Sequence, residues 1–415
     1  MSQKVRPSLF PVFFVLFIDN FGFSVIFATF GPLFVDPSFG FVTAEMSDAL
    51  RNMMLGVALA LFPLGQFFGC PFLGDIADRF GRKKAFYITI VGATIGFIIS
   101  GWSILTGNYL ILILSRLFTG FFSGNLSICL ASIADLSPDE HSRAKNFSMI
   151  IIVTGISWMI AMLMGGYLSN PQVSSHFNPA LPFYVTAALS LLSLVGIASL
   201  FKETHPSKER FKLHLLKGVQ DILKTFHIKE LRMLYIVYMF WILGWGLAFQ
   251  WFSPYALQVY KTTPLNVTWA QFLVGIAWII GGYFINDLLI KRFHARSIVV
   301  VGTALTTLCL VGMAISDSFI VFALFFTIAC FPSAISWPNT LNLISMNAPA
   351  DIQGKIMGIS QSSQSVGFIL ATLVGGFIAA TTIHVIYPLT AAFLCISWIL
   401  IFARHLMQKK TTPTT

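Results

Sequence analysis

Two ionised side chains, Asp19 and Arg116, sit inside long apolar runs of this 415-residue chain, and they are the residues best placed to do chemistry. Asp19 stands about ten residues into the run 9–33, which at the rise of a helix puts it about 15 Å deep, near the middle of a bilayer. A carboxylate there costs at least ~2.5 kcal/mol to insert. It has to be neutral, paired or turned toward a water-filled cavity, and that suits a group that takes up and releases a proton. The alternative is a structural carboxylate locked to a neighbour. Arg116, Gly120 and Gly124 share one face of the run 109–134, so the glycines let another helix approach beside the cation. Counted from Tyr109, Arg116 lies about 10 Å from the outer boundary. The two depths differ by about one arginine side chain, so we expect an Asp19–Arg116 pair that proton binding at Asp19 loosens. A static buried pair, neutral for stability, is the competing reading.

Polar and aromatic side chains inside other apolar runs could bind a small organic molecule. Amides can orient such a ligand by hydrogen bonds, and indole rings offer it flat apolar faces. The amides are Asn20, Gln66, Asn125, Asn339, Gln361 and Gln364, and the indoles are Trp241, Trp245 and Trp337. Tyr238, Trp241, Trp245, Phe249 and Phe252 form one stripe, with Gly244, Gly246 and Pro254 able to bend that helix. Pro332 and Pro338 flank Trp337, and broken helices near the midplane are where transporters build sites. Packing or lipid contact accounts equally well for such an aromatic stripe. Ser360 to Ser365 is too polar to face lipid on every side.

The elements that position these residues are membrane helices. The chain is 56% hydrophobic and 10% charged with mean hydropathy +0.80, where a soluble protein has about 25% charged residues. Twelve apolar runs are long enough to span: 9–33, 50–73, 85–105, 109–134, 146–168, 182–201, 233–257, 267–290, 297–315, 319–345, 356–380 and 384–404. The net charge of +10 is not a nucleic-acid signal. Of the 26 Lys and Arg, Arg51 and Lys261 fall on one side and Arg116 inside a span, and all the rest fall on the other side. That side is therefore cytoplasmic and holds both termini. Lys4 and Arg6 precede an apolar run too long for a signal peptide, so we expect an uncleaved first helix.

The expected fold is an all-α membrane protein of twelve helices in two six-helix bundles, 1–201 and 233–405. A cytoplasmic insert, 202–232, separates them, and a tail, 406–415, follows. The insert has helical periodicity from Lys208 to Thr225, as an amphipathic helix on the inner membrane surface would. The halves repeat weakly: Arg79-Phe80 matches Arg292-Phe293, Leu136 to Glu140 matches Asn347 to Asp351, and Gly165-Gly166 matches Gly375-Gly376, all at nearly one spacing. Cys70, Cys129, Cys309, Cys330 and Cys395 all lie in spans without a Cys-x-x-Cys pair, which argues against a disulfide framework or a zinc site.

Gly74-Asp75-Ile76-Ala77-Asp78-Arg79-Phe80-Gly81-Arg82-Lys83-Lys84 resembles the signature loop between helices 2 and 3 of the major facilitator superfamily. In physical terms, Gly74 would let two helices meet closely and Gly81 would make the turn. Asp19-Asn20-Phe21-Gly22 and Gly31-Pro32 resemble helix 1 of the tetracycline- and multidrug-efflux branch. Arg116-x-x-x-Gly120-x-x-x-Gly124 resembles that branch's helix 4 motif, which implies a role in proton coupling. Ala134 to Glu140 with Arg143 resembles the loop after helix 4. The resemblance implies a gating salt-bridge network drawn from Asp78, Arg79, Arg82, Asp135, Glu140 and Arg143. It also implies a secondary transporter working by alternating access, a proton-coupled carrier of a small organic molecule, in a bacterial inner membrane. Ala161 to Gly166 keeps only the Gly-Gly of the exporters' Gly-Pro-x-x-Gly-Gly element, so import of a metabolite such as an amino acid or metal chelate stands beside export. A transporter-like sensor is the further alternative. No nucleotide-binding loop, zinc-protease or serine-hydrolase motif occurs, so an enzyme is not expected. The expected partners are a small-molecule substrate, protons and membrane lipids. We expect a monomer, with no cofactor, no metal and no nucleic acid.

Overall fold

The computed structural model describes residues 8–137, 139–204, 229–347 and 353–411. The amphipathic helix expected from Lys208 to Thr225 lies outside them. Among the described residues, twelve helical segments are long and apolar enough to cross a membrane. Their outward faces carry exposed apolar side chains such as Val195, Leu308 and Phe377, as lipid contact requires.

In chain order the α-helices are α1 (Phe10–Val35), α2 (Asp48–Phe80), α3 (Arg82–Leu105), α4 (Tyr109–Phe122), α5 (Asn125–Leu136), α6 (Glu140–Leu168), α7 (Leu181–Leu200), α8 (Lys229–Gln250), α9 (Phe252–Val259), α10 (Pro264–Ile279), α11 (Asn286–Ile290), α12 (Ala295–Ala314), α13 (Phe319–Met346), α14 (Gln353–Thr381) and α15 (Ile386–Thr411). A π-helix, Ile280–Ile285, joins α10 to α11 within the eighth span. Local signals set several starts. The Asn108 side chain accepts from Ile111 N at 3.1 Å to cap α4, and Asp139 accepts from Ser142 N at 2.7 Å to cap α6. Pro264 opens α10 behind the Thr263 cap.

The chain divides into two compact units. The first holds α1 up to Thr29, Ser38–Phe41, and the chain from Leu61 through α7; the second holds Phe30–Pro37, Val42–Ala60 and everything from α8 onward. The C-terminal end of α1 and the N-terminal end of α2 therefore belong to the second unit, where Asn52 and Gln258 exchange amide hydrogen bonds of 3.2 and 2.7 Å. In the first unit α3 packs against α4 and α7. In the second α12 lies between α13 and α15, and α8 packs on α14 and α15.

Two spans are broken. The fourth stops at Phe122 and restarts at Asn125, with Ser123 and Gly124 between. The seventh breaks at Trp251, four residues after Leu247 and three before Pro254. Pro254 has no N–H for the carbonyl of Gln250, which explains where the helix lets go. Gly244 and Gly246 stay inside α8, packed close to Leu394 and Phe368.

Candidate functional site

The first unit is built around a glycine seam. Gly65 and Gly69 of α2 lie against the backbone of α4 at Leu117 to Phe121, and Gly120 of α4 lies against the backbone of Phe62. Small residues spaced four apart on each helix let the two backbones touch. The seam carries the cation: the Arg116 guanidinium is fully buried, 4.6 Å from the centre of the Phe62 ring. Gly74, by contrast, has nothing within 4 Å of where a Cβ would be, so the close helix approach expected there occurs one to two turns earlier instead.

The Ser123–Gly124 break turns α5 so that its first residue, Asn125, points at α1. Its Nδ2 donates to Asp19 Oδ1 at 3.0 Å. Its Oδ1 accepts from Thr89 Oγ1 of α3 at 2.5 Å. The carbonyl of Ser123, left over at the break, accepts from Gln66 Nε2 of α2 at 3.3 Å. Asp19 opens into a narrow recess lined by Ile90, Phe97, Asn125, Ser190 and Ser193. Thr94 Oγ1 donates to Ser190 Oγ at 2.8 Å on the same wall.

The ion pair expected between Asp19 and Arg116 is not formed; among the described residues Asp19 takes part in no ion pair, and its partner is the neutral Asn125. The reason is helix length. α1 is 26 residues, about 39 Å by its rise, so Asp19 sits nearer its basic end than a 30 Å span implies. Asn125, level with Asp19, is nine residues below Arg116, about 13 Å along the helix axis.

The other candidates fall into separate places. Asn20 Nδ2 donates to Thr154 O at 2.9 Å, tying α1 to α6. In the second unit Trp241 and Trp245 are nearly buried and stack at 6.1 Å between ring centres, and Trp245 meets Phe326 at 5.9 Å. Trp337 lies 6.3 Å from Trp278. Asn339 donates to Asn286 Oδ1 at 2.7 Å, just after the π-helix, and to Ile335 O at 2.8 Å. Gln361 and Gln364 are half-buried, while Ser362, Ser363 and Ser365 between and beside them are buried, as the polarity of that stretch requires.

At the basic end of the first unit, Gly81 adopts φ +97°, the left-handed region that makes the turn between α2 and α3. Arg82 Nη1 reaches Asp78 Oδ1 at 2.6 Å and Nε reaches Asp135 Oδ2 at 3.5 Å. Glu203 then caps α3 from the end of α7: its two carboxylate oxygens accept from Arg82 N at 2.8 Å and Lys83 N at 3.0 Å. Thr204 Oγ1 donates to Asp135 Oδ2 at 3.1 Å. Arg79 is half-buried beside this cluster in sequence, and Arg143 is exposed in α6. Thr89 and Glu203 escaped the sequence reading. Their only signals are a hydroxyl in the middle of an apolar span and an acid among bases.

The family model described as Major Facilitator Superfamily matches residues 12–328 and 285–415. The chain is 25% identical over 342 residues to a class C tetracycline resistance protein of Escherichia coli, covering 79% of this chain and 80% of that one. It is 24% identical over 364 residues to the quinolone resistance protein NorA of Staphylococcus aureus, covering 83% and 84%. Its fold is similar to the crystal structure of a D-xylose-proton symporter, with TM-score 0.74, 17% identity and 95% of each chain covered. The human organic anion transporter MFSD10 gives TM-score 0.71 at 17% identity, covering 97% of this chain and all of that one. With twelve spans and the family model matched along nearly its whole length, this integral membrane chain belongs to the major facilitator superfamily of secondary transporters, and not to a family of enzymes.

Proposed function

We propose that the protein is a proton-coupled carrier of a small organic molecule, working by alternating access with Asp19 as its proton site. One observation supports this most: a carboxylate deep in a helical bundle, opening to a recess, with a neutral hydrogen-bond partner and no ion pair among the described residues. A buried charge without a counter-charge is costly, and a bound proton is the cheapest way to remove it. Arg116, seated on Phe62 about 13 Å away, acts on this reading as the fixed positive field of the glycine seam. The stacked indoles and buried amides of the second unit suit an amphipathic substrate, held by ring faces and oriented by hydrogen bonds. The Arg82 cluster is the gating element at the cytoplasmic face. The basic asymmetry of the loops supports cytoplasmic termini; a bacterial inner membrane and a monomer complete this reading.

Span five bears on direction. The relatives' names describe drug resistance, whereas Ala161 to Met164 departs from the exporters' element, so uptake of a metabolite by symport is the second reading. Both are tested in proteoliposomes holding a trapped pH dye. Tetracycline, a quinolone and an amino-acid mixture are added outside in turn. Symport acidifies the lumen when its substrate is supplied. Antiport shows itself as substrate accumulation when the lumen is made acid. Substrate-linked proton movement that survives in Asp19→Asn would overturn the assignment of the proton site.

A further inference from the structure

Asp19, Asn125 and Thr89 form one buried string across three helices, and its hydrogen bonds have a direction. Thr89 donates to Asn125 Oδ1, and Asn125 Nδ2 donates to Asp19 Oδ1. This polarity suits an ionised Asp19, which can only accept. Thr89 has one hydroxyl proton but three acceptors in reach: Asn125 Oδ1 at 2.5 Å, and the carbonyls of Ala85 and Phe86 at 3.0 Å each.

When a proton from the recess binds Asp19 at Oδ1, a new O–H forms there and that oxygen becomes a donor. Facing Nδ2, it would set donor against donor. Turning the Asn125 amide over resolves this. Oδ1 then accepts from the acid, Nδ2 donates to Thr89 Oγ1, and Thr89 redirects its proton to Ala85 O or Phe86 O. Every group is satisfied in both states, which only an amide between an acid and a hydroxyl allows. Asn125 and Thr89 are almost fully buried, so water is a poor substitute partner for either.

We propose that Asn125 is a positioning residue that reads the proton state of Asp19 by reversing its side-chain amide, passing the change to Thr89 on α3 and to the helix break that carries Asn125. The groups facing Asp19 leave it as the titrating centre. The second helix brings the thiol of Cys70, and α5 brings that of Cys129, which also contacts Val12 O at 3.6 Å. The third helix brings Thr89, α7 brings Ser190 and Ser193, and α6 meets neighbouring Asn20 through the Thr154 carbonyl. Among the described residues none of these side chains is charged.

This inference rests on Asp19 being the proton site, and the test separates the two. Infrared difference spectra between acid and neutral pH are recorded on the full chain in lipid. The wild type is expected to show a carboxylic-acid carbonyl band that Asp19→Asn removes, together with a side-chain amide band identified by its loss in Asn125→Leu. Thr89→Val, which keeps the shape and removes the hydroxyl, should shift and weaken the amide band and keep the acid band; Thr89→Ser should retain both. Substrate-linked proton flux should fall about tenfold in Thr89→Val and recover in Thr89→Ser. An absent acid band in the wild type would overturn both readings. An acid band with no Asn125-dependent amide band, or an amide band indifferent to Thr89→Val, would overturn the amide reversal alone.

Discussion

The interior of spans one to six and that of spans seven to twelve are furnished differently, although landmark residues repeat between them. The first holds Asp19, the fully buried Arg116 and a string of amide and hydroxyl groups between helices. The second, among its described residues, buries no charged side chain. Its interior is an aromatic ladder running Trp241, Trp245, Phe326, Phe252 and Phe322, with successive ring centres 6.1, 5.9, 4.4 and 5.2 Å apart. Its buried polar groups are hydroxyls and amides such as Gln271 and Asn339. One half carries a carboxylate and a guanidinium in its interior, and the other presents flat apolar surface instead. On the proposed function, the proton is bound in one half and the organic substrate chiefly in the other, so the two tasks are separable by mutation.

The largest expected effect strikes the seam that holds the first half together. In Gly120→Val the new side chain meets the Phe62 backbone, which cannot turn aside as a side chain could. The helices must separate, at a cost of about 3 kcal/mol, seen as a fall of about 4 °C in the melting temperature of the detergent-solubilised protein. A variant as stable as wild type would show that the seam is not tight.

Next comes a double dissociation. Asp19→Asn is expected to abolish accumulation against a gradient, a loss of at least about 100-fold, while substrate still binds in a thermal-shift assay. Trp245→Ala is expected to weaken binding about tenfold or more by removing three ring contacts, to Trp241, Phe249 and Phe326, while proton uptake by the substrate-free protein is unchanged. If both variants lost binding and proton uptake together, the division between the halves would be wrong.

Much of this arrangement can be read from residue types. Twelve apolar runs announce twelve spans because a continuous apolar run of about 20 residues satisfies its backbone in lipid as a helix. Asp19, Arg116 and Asn125 stand out because polar atoms are expensive there. What could not be read is what depends on helix ends and on distant partners. The pairing of Asp19 with Arg116 was inferred from depths that assumed a 30 Å helix, and α1 is longer. The break at Ser123-Gly124 depends on a neighbouring helix supplying a hydrogen bond to the freed carbonyl, as Gln66 does for Ser123. Glu203 is far in sequence from the helix it caps, so no local pattern reveals it.

The smallest effects compare the two copies of the basic loop. Both contain an acid and a base one turn apart, Asp78 with Arg82 in the first half and Asp287 with Lys291 in the second. Their surroundings differ. The Arg82 side chain is only 10% exposed and also reaches Asp135, while Glu203 holds the backbone behind it; Lys291 and Asp287 are 64% and 56% exposed. Removing a shielded base from two acids leaves their charges uncompensated, so Arg82→Ala should cost about 2 kcal/mol. Glu203→Gln keeps one acceptor oxygen on the end of α3 but loses the charge, and should cost about 1 kcal/mol, an effect that added salt reduces. Lys291→Ala breaks a pair that water already screens, and should stay within about 0.5 kcal/mol of wild type. Denaturation midpoints of the three variants at low and high salt rank them. If Lys291→Ala proved as costly as Arg82→Ala, the second loop would have to be held by contacts as tight as those of the first, and the contrast between the two halves would stop at the membrane boundary.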